Sequence, residues 1–155
     1  MQNLGQTFIG FSCLLCLLMG CELLKDKVNT SSNSSSSTET TSYKLPFPVT
    51  VEGQSAVENM LVCASIANPV STSASIELGV TLEAGEQAIV NAFQADAQGN
   101  PLPEHQNKAT IVLLQGNKGS LGQNMANSPA LQSGATYVMN IVAKGNTARV
   151  YFKVK

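Results

Sequence analysis

The chain has 155 residues, a formal net charge of -1, no tryptophan and few aromatic residues of any kind. Neither sign of charge dominates any stretch, which argues against a basic nucleic-acid footprint or steering of an acidic substrate. The shortage of aromatic rings argues against a stacking platform for bases or sugars. With a leader and a linker set aside, about 110 residues remain, enough for one domain with a single modest core.

The first element in chain order is an uncharged, largely apolar run at residues 7–19. It is shorter than the roughly 20 residues a membrane-spanning helix needs. It fits the apolar core of a secretory signal, which ends at small residues before a cleavage point. Gly20 is that small residue and Cys21 follows it. Taken alone, these residues also fit a cleaved signal with an incidental cysteine, or an uncleaved helical anchor.

The run Leu17-Leu18-Met19-Gly20-Cys21 resembles the lipobox of bacterial lipoproteins. The resemblance implies a signal peptide at residues 1–20, cleavage between Gly20 and Cys21, and lipidation at Cys21. There the thiol receives a diacylglycerol and the new amine an acyl chain of the palmitate kind. Met19 is larger than the residue usual in the family, and no Lys or Arg precedes the apolar run. Glu22 resembles lipoproteins sent on to the outer membrane, where Asp would mark inner-membrane retention. More than one acyl chain, at about 0.8 kcal/mol per buried CH₂, makes such anchoring stable.

Of the four cysteines, Cys13 and Cys16 lie in the apolar run and leave with it, and Cys21 is the lipid site. Only Cys63 remains in the domain, so no disulfide is expected there. It sits in an apolar stretch with no charged neighbour close in sequence, which suits a buried, inert thiol.

Residues 30–42 contain no apolar side chain and almost no charge. Such a tract cannot bury enough surface to offset its ordering entropy, so a disordered tether is expected over residues 21–43. As a flexible coil it would reach roughly 25 Å. Asn29 and Asn33 fit the glycosylation acceptor pattern but read as chance matches in a Ser-rich tract.

From residue 44 onward the hydrophobic period is two. Leu45, Phe47, Val49 and Val51 alternate with Pro46 and Pro48 between, which predicts an edge strand. Residues 58–67 are nearly continuously apolar and predict a central strand buried on both faces. Ile76, Leu78, Val80 and Leu82 alternate again, and residues 88–95 make another strand. Ala109, Ile111 and Leu113 are expected to share one face. Residues 120–133 are looser, with Leu121, Met125 and Leu131 as apolar points. Tyr137, Met139 and Ile141 carry a sixth strand, Lys144-Gly145-Asn146 a tight turn, and Ala148, Val150, Phe152 and Val154 the last. About seven short strands with turn signals, and no helical stripe after Cys21, predict an all-β antiparallel sandwich over residues 44–155.

The stretch Ala95-Asp96-Ala97-Gln98-Gly99-Asn100-Pro101-Leu102-Pro103, with the strand after it, resembles the bacterial Ig-like domains of adhesins and invasins. Gly134-Ala135-Thr136-Tyr137-Val138 is similar to a strand opening of the same family. The resemblance covers about the last 70 residues and implies an Ig-like fold. Motifs of turn and strand carry no ligand residues with them.

No nucleophile, base or phosphate loop is legible, so no catalytic residues, no cofactor and no enzyme activity are expected. His105 is the single histidine. Glu104, Met125 and Cys63 are its only helpers for a metal, and their spacing matches no metal motif. Asn68-Pro69 reads as an ordinary turn.

The expectation is therefore a non-enzymatic lipoprotein. It is held to the outer membrane by its lipid and presents an Ig-like binding or structural module to a protein partner in the envelope. Residues 96–107 and 116–129 are its expected contact surfaces, being long and polar, and edge-strand addition is one route of binding. The alternatives are a pilotin- or chaperone-like accessory of a secretion or pilus system, and a periplasmic metal carrier using His105 and Met125.

Overall fold

The structure is a computed structural model that describes residues 42–155. The expected signal segment, the lipid site Cys21 and the tether up to residue 41 lie outside the described residues. Near the start of the described residues, Tyr43 donates its amide to the Met60 carbonyl at 2.9 Å. Its hydroxyl donates to the Thr147 carbonyl at 3.1 Å and accepts from the Arg149 amide at 2.9 Å.

The described residues form an all-β unit. Its strands are β1 (Val49–Val51), β2 (Gln54–Ser55), β3 (Ala64–Ser65), β4 (Ser75–Leu78), β5 (Ala88–Gln94), β6 (Thr110–Leu114), β7 (Lys118–Ser120), β8 (Thr136–Ala143) and β9 (Asn146–Lys153). A single 3-10 turn, Pro103–His105, lies between β5 and β6. No helix among the described residues is long and apolar enough to cross a membrane. One sheet has the order β2-β1-β4-β7 and the other β3-β9-β8-β5-β6. All pairings are antiparallel except β3 with β9.

The two sheets share one core. Val49, Val51, Ile76 and Leu78 enter it from the first sheet, and Val90, Val112, Met139, Ile141, Val150 and Phe152 from the second. Burial of these side chains at roughly 25 cal/mol per Å² of apolar surface is the main favourable term. The predicted faces of β8 and β9 hold. Tyr137, Met139 and Ile141 are buried, as are Ala148, Val150, Phe152 and Val154. The turn between them is built on positive φ at Lys144 (49°) and Gly145 (71°), the backbone of a two-residue hairpin loop.

Three expectations are corrected. First, β1 is not an edge, because β2 and β4 flank it. Pro46 and Pro48 precede it, and the Pro48 carbonyl accepts the Gly79 amide at 2.8 Å. The Pro48 ring sits so close that a Cβ on Gly79 would come within 2.8 Å of it. Second, residues 58–67 contribute only the two-residue strand β3, at the edge of its sheet. The apolar run serves instead as a cover: Met60, Val62 and Cys63 pack with Ala95, Val138, Phe93 and Tyr151 on the outer face of the five-stranded sheet.

Third, β4 ends at Leu78, and Val80 and Leu82 pack half-buried against the core beyond it. In β6, Ile111 and Leu113 share one face as the period implies, and it is the outer one. Thr110, Val112 and Leu114 point inward, while Leu113 is exposed. Both phases of that strand are apolar except at Thr110, so periodicity alone could not choose. Pairing of Val112 with the fully buried Val90 chooses it. The short strands β2 and β7 have no counterpart among the seven expected strands and bring the total to nine.

Two substitutions check the inward face of β6. Val112→Ala should cost about 2 kcal/mol, whereas Leu113→Ser should stay within about 0.5 kcal/mol, both read from urea unfolding curves.

Candidate binding groove

The two loops singled out in the sequence come together beside β6. Residues 106–109 form one wall of a groove of about 400 Å³, residues 125–129 form the other, and Phe93 and Ile111 lie between them. The second wall is tied down in three places. Met125 donates its amide to the Ile111 carbonyl at 2.7 Å, as an isolated bridge pairs Val112 with Asn124. Asn124 Nδ2 donates to the Ser128 carbonyl at 3.0 Å, and Ser128 Oγ donates to the Met125 carbonyl at 2.9 Å. Thr110, the one buried polar residue among those described, donates its hydroxyl to the Pro129 carbonyl at 2.7 Å. That bond satisfies an otherwise costly buried group and fixes the loop to the sheet.

The first wall follows the 3-10 turn. Lys108 donates its amide to the His105 carbonyl at 2.9 Å. The groove is thus lined by Phe93, Ile111, Met125 and Pro129 together with the polar Gln106, Asn107, Lys108, Asn127 and Ser128. Such a lining accepts an apolar side chain with polar groups to orient it. It offers no nucleophile and base in contact.

The stretch from Asp96 to Asn100 is held by its own carboxylate. Asp96 Oδ1 accepts the Gln98 and Asn100 amides, each at 2.9 Å, and Oδ2 accepts Asn100 Nδ2 at 3.3 Å. These bonds, the Asn100 amide first, hold the Asp96 carboxyl below the usual carboxylate range against a smaller opposing effect of burial. Arg149 Nη2 donates to the Gly99 carbonyl at 3.3 Å and joins the loop to β9. Gly99 has φ 82°, and a Cβ there would lie 2.5 Å from Cys63 Sγ. Only glycine serves both the backbone conformation and the close approach. Cys63 is fully buried, and burial first pushes its thiol up, with Arg149 opposing and Asp96 adding. Between residues 59–62 and 97–100 lies a second hollow of about 320 Å³, with Leu61 63% exposed at its side.

His105 is half-buried in the 3-10 turn and lines a smaller hollow with Gln94, Lys108 and Tyr137. Met125 lines the groove instead. Among the described residues no group of three or more His, Cys, Asp and Glu side chains converges. Gly20 and Cys21 lie outside the described residues. The groove itself needed the pairing of β6 with residues 123–125, which no local pattern signals. No family model matches the chain, and no curated protein or solved structure matches it.

The Asp96 loop gives a pH-dependent outcome. Its folded carboxyl titrates below its unfolded value, so the stabilisation is complete above about pH 4 and is lost as pH falls through the folded value. Thermal melts should find Asp96→Ala less stable than the parent chain at pH 6, with the difference shrinking toward about pH 2.

Proposed function

We propose that the chain is a lipoprotein anchored through Cys21 in the bacterial outer membrane and that residues 44–155 are a non-enzymatic Ig-like binding or structural module for a protein partner of the envelope. The observation that carries the anchor is the sequence Leu17-Leu18-Met19-Gly20-Cys21 after a short uncharged apolar run. A Ser-rich stretch then separates Cys21 from Tyr43, which is hydrogen-bonded to Met60, Thr147 and Arg149.

The Ig-like reading is supported by strand order. β1, β4 and β7 are neighbours in one sheet, and β9, β8, β5 and β6 follow one another in the other. The short β3 joins that second sheet parallel to the last strand. A second support is the tyrosine at the start of β8. The Tyr137 hydroxyl accepts the Gln132 amide at 2.9 Å, a bond of the kind that pins the corner before the penultimate strand of Ig domains. Binding is assigned to the groove beside β6, since loops carried on a rigid sandwich are where such folds make contacts.

Two experiments test this reading. Mass spectrometry of the mature N-terminus should find Cys21 first, carrying a diacylglyceryl thioether and an N-acyl chain; a chain starting elsewhere, or an unmodified Cys21, would refute the anchor. Tyr137→Phe should cost about 0.5–1.5 kcal/mol by removing the bond from the Gln132 amide, read from denaturant melts; a change near zero would remove the corner from the argument.

A further inference from the structure

Beside the groove of about 400 Å³ lies the smaller hollow, of about 190 Å³, and Lys108 and Pro129 line both. The two differ in chemistry. The first presents Phe93, Ile111 and Met125, which suit an apolar side chain. The second presents donors. Tyr137 lines it although only 3% exposed, and its hydroxyl accepts the Gln132 amide at 2.9 Å. A phenol can also donate, and this buried O–H has no acceptor among the described residues. Gln132 Oε1 accepts from Gln94 Nε2 at 3.2 Å, which leaves the Gln132 side-chain NH₂ as a second free donor. The ion pairs among the described residues engage Lys44, Lys118, Lys144 and Lys155, so the Lys108 ammonium is unpaired. No Asp or Glu lines either hollow; Glu104, in the turn beside His105, is exposed and lines neither.

We propose that the two hollows together bind an extended peptide that carries an apolar residue and, two positions away, an acidic one. The proposal rests on the groove beside β6 being the binding site and deepens that reading by naming the ligand; the lipid anchor plays no part in it. In an extended chain, side chains two residues apart point the same way and stand about 7 Å from each other. Neighbouring hollows that share a wall therefore receive one each. The apolar side chain fills the first. The carboxylate enters the second, accepts a hydrogen bond from the Tyr137 hydroxyl, and meets the Lys108 ammonium on the shared wall. An ionised carboxylate only accepts, which is what a set of free donors lacks. A hydrogen bond to a charged acceptor is about twice as strong as one between neutral groups, so the buried O–H gains most from an anion. A phosphate group, with nearly twice the charge, calls for more cations than the single Lys108. A cationic ligand would meet Lys108 with no acid in either hollow to hold it.

The test is an amide-resolved NMR titration of the full chain in detergent micelles with the blocked peptide acetyl-Ser-Leu-Thr-Glu-Ser-amide, whose only carboxylate is the glutamate side chain. The Lys108 and Ser128 amides should shift together, with a Kd of about 1 mM or tighter, while the Glu77 amide, in the other sheet, stays in place. Glutamine in place of the peptide's glutamate should weaken binding about fivefold, and serine in place of its leucine about tenfold. Lys108→Met should weaken the glutamate peptide about threefold and leave the glutamine peptide within about twofold. Equal affinity for the glutamate and glutamine peptides, with the same groove amides moving, would overturn the carboxylate and leave the groove reading standing. A Lys108→Met loss equal for both peptides would do the same. Acetyl-Ser-Leu with a free terminal carboxylate, binding as tightly as the blocked peptide, would overturn the two-residue spacing. No movement of Lys108 and Ser128 with any of these peptides, or movement only at residues 59–62 and 97–100, would overturn the proposal and the groove reading together.

Discussion

Everything else in this unit depends on the pairing of β8 with β9. Eight residue pairs run from Thr136 opposite Lys153 to Ala143 opposite Asn146. Within them Tyr137 lies opposite Phe152, and their rings stack with centroids 5.7 Å apart. A slip of β9 by one residue would turn Val150 and Phe152 out of the core together while β8 kept Met139 and Ile141 in it. The turn at Lys144 and Gly145 forbids that slip, because its two positive φ angles fit a loop of two residues. Both neighbours take their alignment from this ribbon: β5 lies against β8, and β3 lies against β9.

The sequence was most legible where one face is buried and the other wet. β9 alternates Thr147, Arg149 and Tyr151 outward with Ala148, Val150 and Phe152 inward, and the inward residues of β8 and β9 could be named from period alone. It was least legible where both phases are apolar. In β6, Ile111 and Leu113 look as suited to a core as Val112 and Leu114, and Thr110 looks unsuited, although its hydroxyl has an acceptor waiting at Pro129. Residues 58–67 misled for a related reason. A segment laid over the outer side of a sheet needs the same continuous hydrophobicity as a central strand. Only tertiary contact distinguishes the two roles.

The candidate site was legible in outline and not in detail. Length and polarity marked residues 96–107 and 116–129 as loops, but not the groove between parts of them. The groove depends on Thr110 and Met125, each bonded to a backbone group distant in the chain, and on Asn124, which ties its own wall together through the Ser128 carbonyl. The surface ion pairs, such as Lys155 with Glu52 at 3.2 Å and Lys44 with Glu58 at 2.8 Å, contribute little to stability. They join segments distant in the chain, and Glu58 also accepts the Leu45 amide at 2.8 Å.

The seat of Cys63 beneath Gly99 makes the thiol a natural clock. It is the sole free cysteine among the described residues, and it is sealed between the cover of residues 60–62 and the Asp96 loop. Reagents reach it only when the cover lifts or the whole unit unfolds. Its labelling rate, set against hydrogen exchange of the β8–β9 amides, would tell a local breath from a global opening, and would do so with the native residue.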